Sequence, residues 1–240
     1  MVRTLVPVEV LEGESVAPGI IDLLAPAEVV LLGYHRIPEQ TTPGQARMSF
    51  EDQATEKLEE TAEAFTDAGA AVETRLVFTH DAEQTFERVA TETESDAVVH
   101  CNPMMATDDL FVALHGQVAA ERIGSVVAAL VDGRDIDVSL AEITGPEADT
   151  LNLLERAERA LVEGGVEPDR ITTETVRTET PIKTIVERAR GMDAIVLGER
   201  APSWQEMVFG DFEDRVAEAS LGAVLVVRSP TDPADGDGPQ

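Results

Sequence analysis

Short, wholly apolar segments alternate with longer amphipathic ones along this chain, and that alternation leaves few folds open. "AEVVLLGYH" (27–35), "DAVVHC" (96–101), "SVVAALV" (125–131), "DAIVLG" (193–198) and "AVLVVR" (223–228) read as strands buried on both faces. "TLVPVEV" (4–10), "DIDVSLAEI" (135–143) and "RITTETVRT" (170–178) also read as strands, and "AVETRLVF" (71–78) alternates, as a more exposed strand does. Between them, residues 49–70 place Ala54, Leu58, Ala62 and Phe65 on one helical face and acids on the other. Gly69 suits the stop of that helix, and Ser49 with Gln53 is one position off a capping box. Residues 15–26, 81–95, 107–122, 147–165, 180–191 and 212–222 read as further helices. Ser15 and Thr180 stand as N-caps, with Pro18 and Pro181 in the first turns. Strands alternating with helices imply a parallel sheet joined by right-handed crossovers.

The pattern occurs twice. "LEETAEAFTDAGA" (58–70) matches "LERAERALVEGGV" (154–166), and "FERV" (86–89) matches "VERA" (186–189). "DAVVH" (96–100) matches "DAIVL" (193–197), and "VAAERIGSVVAAL" (118–130) matches "VAEASLGAVLVVR" (216–228). Four ordered matches at similar offsets imply a tandem duplication. The division then falls at 1–133 and 134–229, with the second unit lacking its own leading strand–helix pair unless 125–131 serves it. The tail, 230–240, has the acidic, Pro- and Gly-rich composition of a disordered segment.

Composition narrows the function classes. Asp plus Glu number 47 against 18 Lys plus Arg, a net charge of -29, and Lys57 and Lys183 are the only lysines. At about 0.1 M salt such a surface repels itself; at about 1 M the Debye length falls to roughly 3 Å and the repulsion is screened. This is the balance expected of a protein working in molar salt, as in a haloarchaeon. It disfavours nucleic acid and anionic membranes as partners. A single cysteine, Cys101, excludes an intramolecular disulfide and fits a reducing, cytoplasmic setting. No apolar run nears the roughly 20 residues of a membrane span, and no signal peptide is expected at the N-terminus.

The strand ending "LVPVE", the segment "DAIVLGER", and above all "FGDFEDRVAEASLGAVLVVRSP" resemble the universal stress protein (UspA-like) family. The likeness is weak over 4–131 and better over 135–228. It implies a flavodoxin-like (adenine nucleotide alpha hydrolase-like) α/β fold, with two tandem units forming a pseudo-dimer, and it leaves room for a homodimer. ATP-binding members carry an acidic residue after the first strand and a Gly-x2-Gly-x9-Gly-Ser/Thr loop after the fourth. Gly198 takes the place of the first glycine, Ala201 replaces the second, the spacer 202–209 is one residue short, Gly210 matches the last glycine, and Asp211 replaces the hydroxyl residue. Like charges about 4 Å apart cost about 1 kcal/mol even in water, so Asp211 opposes a triphosphate. The acidic position after the first strand is Glu9; Asp132 fills it in the second copy if 125–131 is that copy's first strand. In the first copy the loop corresponds to 100–116, which carries Pro103 and Asp108-Asp109 and has no glycine before Gly116.

Other chemistry has little support. His35, His80, His100 and His115 show no metal-ligand spacing, and no Walker, GxGxxG or Ser-His-Asp pattern occurs. No catalytic residue, metal or resident cofactor is expected. Cys101 reads as strand-end packing, with a redox-sensitive thiol as the alternative. Met104-Met105 and Trp204 read as loop packing, with a ligand or partner surface as the alternative. The expected role is a non-catalytic stress-response or regulatory module with an unidentified protein partner. The alternatives are an ATP or adenine-nucleotide sensor using 198–211, and a partner in trans of a membrane transporter.

Overall fold

The computed structural model describes residues 1–146, 152–199, 216, 220 and 222–229. The strands are β1 (Arg3–Glu9), β2 (Glu28–Arg36), β3 (Ala71–Thr79), β4 (Ala97–His100), β5 (Asp109–His115), β6 (Asp137–Thr144), β7 (Ile171–Arg177), β8 (Ala194–Gly198) and β9 (Ala223–Val227). The helices are α1 (Pro18–Leu23), α2 (Pro43–Ala68), α3 (Ala82–Glu92), α4 (Ala120–Val131), α5 (Leu153–Glu163) and α6 (Pro181–Arg188). The strands form one sheet in the order β3-β2-β1-β4-β9-β8-β5-β6-β7. Every neighbouring pair is parallel except β4 and β9, which run antiparallel with Ala97 opposite Val227 and His100 opposite Val224. The α/β class expected from the sequence, a mostly parallel sheet flanked by helices, is present.

Within each half, helices that carry the chain outward along the sheet lie on one face, and the helix that brings it back lies on the other. Handed crossovers require this. The larger apolar core therefore packs α1, α2, α4 and α5 on one face, while α3 and α6 cover the other. Both halves use the same local devices. Asp96 accepts the Arg3 N–H at 2.8 Å, and Asp193 accepts the Asp109 N–H at 3.0 Å. Thr85 donates to Thr79 at 2.8 Å, and Thr184 donates to Thr178 at 2.9 Å.

The region 107–131 corrects the sequence reading. The stretch read as helix, 107–122, contains β5, whose residues Leu110 to Leu114 are all buried. The stretch read as strand, 125–131, lies in α4, where eight of twelve residues are buried. A helix made of Val, Ala and Leu and sandwiched between sheet and helix loses its polar stripe, so its run of apolar letters mimics a strand. Gly116, read inside a helix, lies just past the end of β5 with φ +71°. The match of 118–130 to 216–228 therefore sets a helix against a segment ending in β9. By pairing, β5 and α4 go with β6 to β9. The division moves from 133/134 to the connection 101–108, and the first half is the short one, ending at β4 without a following helix and strand.

Helix ends show smaller differences. Thr42, not a residue near 49, caps α2 by accepting from Gln45 N–H at 3.3 Å, while the Gln45 side chain accepts from Thr42 N–H at 3.2 Å. The sequence "TTPGQ" holds that capping box with proline at the first helical position. Gly69 ends α2 with φ +108°, as expected. Ser15 does not cap α1; Ala17 occupies that position. The expected helix 147–165 is seen as α5, its first five residues lying outside the described residues, as do most of 212–222 and the tail 230–240.

Gly124 lets α4 touch α5. A Cβ there would meet the Ala157 carbonyl oxygen at 2.5 Å and the Ala160 Cβ at 2.8 Å. Gly124→Ala is expected to cost roughly 1–3 kcal/mol, because the obstructing atoms belong to backbone and a short side chain. Denaturant unfolding checks this, and an unchanged midpoint would contradict the close approach.

Candidate functional site

In an open parallel sheet, ligands settle beyond the strand ends where the strand order reverses direction. The sheet offers two such places, between β1 and β4 and between β5 and β8. The antiparallel β4–β9 junction sets them at opposite ends of the sheet.

The first crevice is filled by the chain itself. The connection after β4 runs under the first turn of α1, and Met104, only 2% exposed, enters the core. The Gly19 N–H donates to the Met104 carbonyl at 2.9 Å, and the Thr107 hydroxyl donates to the Gly19 carbonyl at 3.1 Å. A Cβ on Gly19 would lie 2.7 Å from Met104 Cγ and 2.8 Å from the Ala106 carbonyl, so the two segments are in tight contact. Met105, by contrast, is exposed. Asn102 donates to the Gly222 carbonyl at 3.2 Å, tying this connection to the second half.

Cys101 sits at the β4 end of the same crevice, half-buried, its thiol directed at the Pro7 carbonyl 3.7 Å away. Burial, with a smaller push from the Glu14 charge, raises its pKa to about 12. That opposes the redox-thiol alternative, since the thiolate is the reactive species. Burial also lowers the pKa of neighbouring His100.

Glu9 ends β1. Its N–H donates to the Glu14 carboxylate at 2.5 Å, and the Glu12 N–H donates to the Glu9 carbonyl at 3.3 Å, folding the turn back over the strand end. The β1–β2 register sets Glu9 beside Tyr34 and so next to His35. Burial, together with the charges of Glu14 and Glu9, raises the Tyr34 pKa to about 12. Glu9, Glu12 and His35 bring one donor atom each within 4.8 Å of one another. The sequence reading paired neither Glu12 nor His35 with Glu9. The signal was present: Glu-x-x-Glu after one strand and a histidine at the end of the next converge when the two strands are parallel neighbours.

In the second crevice Gly198 ends β8 buried, and a Cβ on it would lie 2.5 Å from Ile123 Cδ1 and 3.0 Å from Val118 Cβ. Its smallness serves the packing of α4. The next N–H, that of Glu199, donates to the Val227 carbonyl at 2.7 Å, and the Glu199 carboxylate accepts from Ser229 N–H at 2.7 Å. Asp132 stands at the C-terminal end of α4, not after a strand, so the acidic position assigned to it is corrected. The residue at the end of this half's first strand is His115, whose ring lies 2.8 Å from the Ile143 carbonyl. Ala201, Trp204, Gly210 and Asp211 lie outside the described residues.

A second acidic feature lies at the start of the second half's strands, where Asp108, Asp109, Asp135, Asp137 and Asp169 surround Arg170. Arg170 pairs with Asp135 and, at 3.1 Å, with Asp137. Burial and the neighbouring Asp193, Asp137 and Asp108 charges raise the Asp109 pKa.

No family model matches the chain, and no curated protein matches it. Solved structures do. A universal stress protein from Archaeoglobus fulgidus is 16% identical, with 96% of this chain and 97% of that one covered and a TM-score of 0.67. A putative universal stress protein from Pseudomonas aeruginosa is 14% identical, covering 94% and 92%, with a TM-score of 0.52. A universal stress protein in complex with cAMP matches 52% of this chain and 98% of its own at 20% identity, but its TM-score of 0.45 is too low to bear on this chain's ligands. The first two likenesses show that the chain shares the universal stress protein fold.

The buried thiol gives a direct check on the first crevice. A disulfide reagent at pH 8 is expected to label native Cys101 at least about a hundredfold more slowly than the unfolded chain. Labelling at the unfolded rate would show that the crevice is open.

Proposed function

We propose that this chain is a non-catalytic regulatory module of the universal stress protein kind, in which the places that would hold a nucleotide have been given over to packing. The fold shared with the two universal stress proteins supports the class. The occupied first crevice carries the rest. A nucleotide entering between β1 and β4 would have to expel Met104, at a cost of about 1.5–3 kcal/mol for re-exposing the side chain alone, and break the Gly19–Met104 hydrogen bond. In the second crevice the glycine that would open the phosphate loop lies against Ile123 and Val118, and the first N–H past it is already used.

In this reading the two halves stand in for two subunits, joined through β4 and β9, and the output is recognition of another protein. The absence of catalysis belongs to the same proposal: the first strand end presents carboxylates and a protonated thiol rather than an activated nucleophile.

The test is the thermal midpoint of the full chain in about 2 M KCl with and without ATP and Mg²⁺. No rise is expected. A ligand at a hundred times its Kd adds about 2.7 kcal/mol, roughly 5–10 °C for a chain of this size, and a rise of that order would overturn the reading.

A further inference from the structure

We propose that Glu9, Glu12 and His35 form a binding site for a divalent first-row transition cation at the C-terminal ends of β1 and β2. Three parts of the fold converge there. The β1–β2 register brings His35 beside the end of β1. The turn after β1 carries Glu12 back toward Glu9, held by the Glu12 N–H on the Glu9 carbonyl and by Gly13 at φ +76°. Glu14 fixes the Glu9 backbone through its N–H. The three side chains then offer one donor each within 4.8 Å of one another. Metal–ligand bonds to carboxylate oxygen and imidazole nitrogen run about 2.0–2.2 Å, which sets donors roughly 3–4 Å apart. Glu12 is exposed, so its carboxylate can close that gap without disturbing the strands.

The histidine supplies the second observation. Its Nδ1 is sealed from solvent and, among the described residues, has no hydrogen-bond partner, while Phe50 and Phe78 hold the ring edge-on at centroid distances of 5.9 and 6.3 Å. A buried ring nitrogen left without a partner is costly, and two carboxylates drawn to the same ring repel each other. A cation on the ring relieves the repulsion, and one bound at Nδ1 also supplies that nitrogen with a partner. One nitrogen and two oxygens suit Mn²⁺, Co²⁺ or Zn²⁺ better than Mg²⁺ or Ca²⁺, which prefer oxygen alone. Three protein donors leave coordination positions for water or for an acidic group of a partner. The acidic depression around Arg170 differs: its donors are oxygen only, and Arg170 already sits among them.

The experiment is calorimetric titration of the metal-free full chain with ZnCl2, and separately MnCl2, in about 2 M KCl to screen diffuse binding to the acidic surface. One equivalent is expected to bind, with Mg²⁺ at least tenfold weaker. Glu12→Gln and His35→Gln are each expected to weaken binding at least tenfold, and Asp135→Asn to leave it unchanged. Glu12 is exposed, so Glu12→Gln keeps the wild-type melting temperature even if replacing His35 loosens the core. Absence of a one-site isotherm, equal affinity for Mg²⁺, unchanged binding in Glu12→Gln, or loss in Asp135→Asn would each overturn the proposal. The nucleotide test uses a different ligand and reads the melting temperature, so the two proposals fail independently, although Glu9 stands at the rim of the first crevice.

Discussion

The antiparallel contact between β4 and β9 is the constraint on which the rest of this molecule depends. The first half ends at β4 with no strand of its own to cover that edge, and an uncovered central strand would expose a row of unpaired backbone groups. The last strand of the second half takes the place, pairing parallel to β8 on one side and antiparallel to β4 on the other. Polar ties cross the seam. Asp96 accepts from Arg3 N–H in its own half and from Arg122 of α4, at 2.8 Å each, while the Arg228 N–H donates to the Asp96 carbonyl at 2.8 Å. The Arg134 side chain binds Asp22 and the carbonyls that end α1. A parallel sheet needs both faces covered. Joining the halves edge to edge lets α1 and α4 lie together over one continuous core.

The same joint decides what the strand ends do. In the short first half the chain passes directly from β4 to β5, and the passage crosses the mouth of the crevice and seals it with Met104. The groups left at the rim are the carboxylates and the imidazole at the ends of β1 and β2. They lie beside the crevice that Met104 enters, so the first half presents a polar surface at its strand ends. The high net negative charge makes any site on this surface more receptive to cations than to phosphates.

Much of the fold was legible from periodicity. Strands buried on both faces, such as 193–198, and the strongly amphipathic helix ending at Gly69 appear where their patterns place them. The failures have physical causes. Residues 109–131 swap strand and helix because α4 is buried on nearly every side and its Val/Ala run has no polar stripe. That one exchange moved the division of the repeat and attached Asp132 to the wrong position. The start of α2 was missed because its apolar face begins later than its cap. At the candidate site, Glu9 was legible from its place after the first strand. Glu12 and His35 were not, since their convergence depends on the register of two strands whose partnership a single sequence does not display. Gly198 was legible as a special position, but the reason for it, the closeness of Ile123, belongs to tertiary packing.

The central claim is that the two halves are one cooperative sheet joined through β4 and β9. Native-state hydrogen exchange reads this most directly. The amides of Val98 in β4 and of Leu225 and Val226 in β9 are expected to be among the slowest, exchanging with the same opening free energy as the centre of β5. If β9 exchanged through a separate, low-energy opening while β5 stayed protected, the joint would not hold the halves together and the account would fail.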